Sequence, residues 1–156
     1  MPDWKSARFA FAWLLPLAVA AGAWVSPWAA WGALLGQQIL LALAERVPAL
    51  QHSPPPTPQT RWHRACLWLH LPIQAALLAL GLWLVVTRSL GPWEVAALAL
   101  AVGGVCGTQG ITYAHELGHS KSRADRVLAW VLMSSVNYAH FMVEHYRGHH
   151  PLAATP

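Results

Sequence analysis

Four apolar stretches, roughly residues 9–25, 27–44, 65–86 and 93–114, limit what this chain can fold into. Each is close to the ~20 residues a helix needs to cross the hydrocarbon core of a bilayer, the first two being slightly short. Inside lipid every backbone polar group must be satisfied within the protein, so stretches of this kind are helices. Composition agrees: 56% of the residues are hydrophobic and only 10% are charged, against about 25% charged in an ordinary soluble domain. The first stretch, FAFAWLLPLAVAAGAWV, also imitates a secretory signal, with basic residues before it and small residues near its end. Three more apolar stretches follow it and no soluble mature domain does, so it reads as a span. The expected fold is all-α: one multi-span helical membrane domain over residues 1–156, without internal repeats.

The connections support this division. Ser26 and Pro27 leave room for only a tight hairpin between the first two stretches. A linker at about residues 46–64 carries a proline run that cannot be helical inside a membrane. Residues 87–92 form a short turn. If four transmembrane helices alternate, Lys5, Arg8, Arg46, Arg61, Arg64, Lys121, Arg123 and Arg126 share one side, and Arg88 is alone on the other. By the positive-inside rule the shared side is the cytoplasm, with the N-terminus there. The net charge of +4 is spread singly at segment ends and forms no aromatic-interleaved patch, which excludes a nucleic-acid reading. Cys66 and Cys106 lie in apolar stretches and read as packing residues.

Five of the nine histidines fall in two clusters, His115 and His119 in HELGH, and His145, His149 and His150 in EHYRGHH. Residues i and i+4 share a helix face, so each cluster presents one pair of imidazoles. His150 is turned about 100° from His149 on a regular helix, toward another quadrant or a second ion. A lone histidine at a helix end is usually an ordinary hydrogen-bonding group. Five at paired spacing beside a bilayer, where ionisable groups are costly, point to a metal site. The segment between the clusters, about 127–143, is interrupted by Ser134, Ser135, Asn137 and His140. As a fifth span it would separate the clusters across the membrane. If they share a site it lies along the interface or re-enters, and that arrangement is preferred.

The metal is not settled by HELGH alone. A zinc protease uses HExxH plus a third ligand, with the glutamate as base, and site-2-type membrane proteases carry HExGH in a helix. Their third ligand is an aspartate before a glycine, and Asp3 and Asp125 lack that context. That reading also leaves His145, His149 and His150 without a role. A metal transporter would string its histidines along a path through the helices, whereas these gather at helix ends. Imidazole suits iron as well as zinc, and two irons in a histidine-rich shell account for more of the sequence.

HELGH, a mixed apolar segment, and then YAHFMVEHYRGHHPLAATP resemble the membrane-bound alkane 1-monooxygenases, within the larger membrane desaturase and hydroxylase group. The likeness is strongest over residues 110–156 and weak before about residue 65. It implies four transmembrane helices followed by interfacial or re-entrant helices carrying histidine boxes at 115–119 and 145–150. His115, His119, His145, His149 and His150 match iron ligands of a di-iron centre. Glu116 and Glu144 match groups that orient imidazoles, with a salt bridge to Lys121 or Arg147 as the alternative. His140 falls at the family's "HF" position, in a structural or orienting role. Thr112, Tyr113, Ser120 and Tyr146 depart from the family pattern without touching a ligand position.

The resemblance further implies terminal hydroxylation of medium- or long-chain n-alkanes by O2 to 1-alkanols in a bacterial inner membrane, with the boxes cytoplasmic. Electrons come from rubredoxin, a separate iron–sulfur chain with its NAD(P)H-dependent reductase. A desaturase or an aromatic methyl-group hydroxylase of the same group would use similar boxes; the EHxRGHH form favours hydroxylation. Five imidazoles do not fill a two-iron shell, and the family carries a third box and a further histidine. The chain thus reads as the N-terminal part of a longer enzyme, inactive alone.

Overall fold

The computed structural model describes residues 8–47 and 60–149, and every regular element among them is helical. A short 3₁₀ segment, Arg8–Trp13, leads into α1 (Leu14–Val25). Ser26 then turns the chain into α2 (Pro27–Ala44): its hydroxyl accepts from the Ala29 amide at 3.1 Å, and Pro27 occupies the first turn, where a missing N–H costs nothing. Helix α3 (Arg61–Thr87) starts where Thr60 caps the His63 amide at 3.1 Å. That cap places Arg61–Arg64, expected in the linker, in the helix. The proline run lies outside the described residues.

Helix α4 (Pro92–Val105) runs through a π-helical turn, Cys106–Gly110, into α5 (Ile111–Gly118). The result is one helix of 27 residues that carries HELGH at its end, further than the apolar stretch alone indicated. This helix and α3, also 27 residues, are long and apolar enough to cross a membrane; each extends about 40 Å at 1.5 Å per residue. The apolar helix at Phe9–Val25 is shorter. Leu82, Val86 and Leu100 are 69%, 83% and 58% exposed on the two long helices, a pattern suited to lipid contact.

Two apolar cores are stacked along these long helices. One joins α1 to α4, with Val19, Ala30, Leu84 and Val105 buried at its centre, and it holds Cys106 as a free packing cysteine. The other joins α3 and α5 to the segment that follows: α6 (Arg123–Ser134), a turn, α7 (His140–Glu144) and a second π turn, His145–His149. Helix α6 has 12 residues, about 18 Å, too short to span a ~30 Å core. It buries Ala129, Leu132 and Met133 against Ala114 and Leu117 of α5. Asn137, at φ 57°, reverses the chain, and α7 returns with Met142 in the same core. Arg123–His149 is therefore a helical hairpin packed against α3 and α5.

Candidate metal centre

The hairpin brings the two histidine boxes together. His115 Nε2 lies 3.1 Å from His119 Nε2, as helical i, i+4 spacing allows. His119 Nε2 lies 3.2 Å from His145 Nε2, twenty-six residues further on. Ligand atoms of all three lie within 4.8 Å of one another. Two imidazole nitrogens bound at about 2.1 Å to one ion, at angles of 90–109°, are about 3.0–3.4 Å apart. The spacing of the trio therefore fits a shared metal ion, and His119 is its exposed member.

The neighbouring rings fix these imidazoles. Phe141, one turn before His145, stacks on it at 5.0 Å and 17°. His115 meets His145 edge-on at 4.6 Å. Tyr146 packs edge-on to His119 at 5.7 Å, and its hydroxyl reaches the backbone of Gly118, so closely that a Cβ there would collide with it and with the Met142 methyl. Burial pushes the Tyr146 phenol up, only partly opposed by the Arg126 guanidinium, so it stays protonated at neutral pH.

A second cluster holds the turn that follows HELGH. The buried carboxylate of Asp125 accepts from Ser120 Oγ at 2.6 Å, Trp68 Nε1 at 2.7 Å and Arg64 Nε at 3.0 Å. The Arg64 guanidinium also pairs with it at 2.9 Å. Burial pushes this carboxyl up, but the hydrogen bonds from Ser120, Trp68 and Arg64 and the guanidinium charge outweigh it and hold the group below its ordinary value. Ser120 follows His119 directly, so one carboxylate anchors the end of the first box to the start of α3.

The structure unites His115, His119 and His145 of the expected ligands. The backbone of His149 continues the second π turn. That turn replaces the regular helix assumed for the second box. His150 lies outside the described residues. Glu116 is half-buried and Glu144 exposed, while His140 is exposed and set edge-on to Tyr138 at 4.8 Å. Phe141 and Asp125 were not legible as parts of the site. Phe141 carries a signal, the i, i+4 spacing to His145. Asp125 carries none, because its partners Arg64 and Trp68 lie some sixty residues away.

No protein-family model matches the chain. It is 32% identical to an alkane 1-monooxygenase of Ectopseudomonas oleovorans across 99% of its own length and 41% of that protein. Alkane 1-monooxygenase 1 of Alcanivorax borkumensis is 40% identical over 102 residues, covering 65% of this chain and 25% of the relative. A Pseudomonas putida alkane 1-monooxygenase is 41% identical over 96 residues, 62% of this chain and 24% of the relative. The chain thus spans between a quarter and two fifths of the length of these relatives. With two helices suited to a membrane and three imidazoles converging from HELGH and EHYRGHH, the chain belongs to the alkane 1-monooxygenase family.

Proposed function

We propose that this chain is part of an enzyme that inserts one atom of O2 into the terminal C–H bond of a medium- or long-chain n-alkane, and that its histidines would hold a di-iron centre. The balance is one alkane, one O2, two electrons and two protons giving one 1-alkanol and one water. Rubredoxin, reduced by its NAD(P)H-dependent reductase, delivers the electrons. The observation that carries the reading is the convergence of Nε2 from His115, His119 and His145 at distances of 3.1 and 3.2 Å, in a chain whose relatives bear the name alkane 1-monooxygenase.

Iron bound at this site supplies O2 activation, chemistry that no side chain of this protein has by itself. The chain's own residues hold and orient. His115, His119 and His145 offer Nε2 lone pairs; His149 and His150 extend the set. Glu116 and Glu144 sit beside ligand positions, where carboxylates commonly accept from the other imidazole nitrogen. Phe141 and Tyr146 pack against the trio and hold its rings. In this reading the trio lies at the membrane end of the two long helices, where an alkane dissolved in the bilayer reaches it laterally. In this topology α1 and α2 complete four spans, and the hairpin lies at the cytoplasmic face of the inner membrane.

The test is turnover of an n-alkane under ¹⁸O2 by the full-length protein with rubredoxin and its reductase, with metal analysis of the same sample. Iron together with ¹⁸O in the 1-alkanol is the expected result. Formation of an alkene without label would instead assign a desaturase. Zinc with no oxygen incorporation would sink the hydroxylase reading.

A further inference from the structure

The helix that carries HELGH is not regular: the π turn Cys106–Gly110 interrupts it just before the box, with the Ile111 amide bonded to the Cys106 carbonyl five residues back. A π turn takes up one residue more than an α turn. At about 100° per residue, everything beyond it is rotated by roughly that angle from where an unbroken α-helix would place it. His115 and His119 lie beyond it. Without the bulge, their imidazoles would face away from His145.

Such a turn sacrifices regular hydrogen bonds and persists only where its surroundings hold it. Here they do so with polar side chains placed among apolar ones. Gln74, wholly buried on α3, crosses the bulge and donates from Nε2 to Ser135 Oγ on the hairpin at 2.8 Å. Its Oε1 lies over Gly110, the last residue of the turn, in the space a Cβ would need. One helical turn earlier, His70 is also wholly buried and meets the Tyr113 ring edge-on at 4.5 Å. Gln109 donates to the Ala12 carbonyl at 2.6 Å. Across the turn, the Thr112 hydroxyl donates to the Thr108 carbonyl at 2.6 Å, and the Thr108 hydroxyl to the Gly104 carbonyl at 2.8 Å. A fully buried amide and imidazole on a helix suited to a bilayer are expensive to keep and call for a role.

We propose that Gln74, supported by His70, is a positioning residue for the metal centre: it latches the π turn through Gly110 and Ser135, and so sets the rotation of the helix end that carries His115 and His119. Neither residue is a ligand. The inference rests on the metal-site reading above and adds what aims the first box.

Gln74→Met keeps the length and packing of the side chain but removes the Nε2–H donor to Ser135 and the Oε1 that lies over Gly110. Ser135→Ala removes the same bond from the exposed hairpin end, where loss of folding is not at issue. In the full-length protein in lipid nanodiscs, Co(II) is titrated and followed by its visible absorption, with His115→Ala as the control and thermal unfolding of the metal-free protein measured alongside. Both variants are expected to bind Co(II) about tenfold or more weakly and with a displaced visible band, as losses of groups that orient ligands do. The melting temperature of the Ser135→Ala variant should stay near that of the parent. Gly110→Ala, which pushes the latch from the other side, should move the band likewise. An unchanged affinity and spectrum in both Gln74→Met and Ser135→Ala overturns the latch while leaving the metal site standing. A parent protein whose Co(II) band is insensitive to His115→Ala overturns the metal-site reading itself, and the latch with it.

Discussion

The hydroxyl of Tyr146 occupies the place beside Gly118 where any other residue would carry its Cβ. These residues belong to different histidine boxes, EHYRGHH and HELGH, and their contact sets how closely the boxes approach. It also explains the glycine between Leu117 and His119: the position is closed to a side chain from outside the helix.

Gly118→Ala is therefore expected to part the boxes. Overpacking of this kind costs about 1–3 kcal/mol, and relief by moving Tyr146 draws His145 with it. The check is a lower thermal midpoint together with reduced bound metal. A companion Tyr146→Phe change in the Gly118→Ala background, which removes the colliding oxygen, should recover part of both.

Replacing the ligands one at a time should separate them from their neighbours. His115→Ala, His119→Ala and His145→Ala each remove a member of the trio and should abolish hydroxylation and lower the iron content. His140→Ala should retain most of the iron, because that ring is exposed and set against Tyr138. Iron loss from His140→Ala equal to that from His145→Ala would show the assignment of ligands to be wrong.

Asp125 predicts a pH dependence. Its folded carboxyl lies below the ordinary value, so its bonds add stability fully above the unfolded pKa of about 3.9, and this is lost as pH falls through the lower folded value. Asp125→Asn keeps one acceptor oxygen but removes the charge, and should cost about 1–3 kcal/mol at neutral pH. The gap in thermal midpoint between parent and variant should then shrink on acidification below pH 4. A gap of constant size across that range would mean that the ion pair and its donors are not what the variant loses.

Phe141→Leu tests the ring stacked on His145. Fold and metal content are expected to survive, since Leu fills most of the apolar space. Activity should fall by about tenfold, the effect of freeing a ligand's orientation. The measurement is turnover per bound iron rather than per protein, which isolates aim from occupancy.

Much of this protein is dictated locally. Apolar stretches of span length become helices because a bilayer leaves the backbone no other way to satisfy its hydrogen bonds, and i, i+4 histidines share a face because the helix has 3.6 residues per turn. Those two regularities were enough to read an all-helical chain with a box at the end of its last long helix, and to see that His115 and His119 act together. What they do not contain is the meeting of elements far apart in the chain. That His119 lies 3.2 Å from His145 depends on Asn137 reversing the hairpin and on Leu132, Met133 and Met142 finding a common core. That HELGH faces His145 at all depends on a π turn which no periodicity announces, held by Gln74 and Ser135 sixty-one residues apart. Asp125 gathers Arg64 and Trp68 across a similar distance. Spacing decided which residues are able to bind a metal; packing between distant helices decided which of them point at the same place.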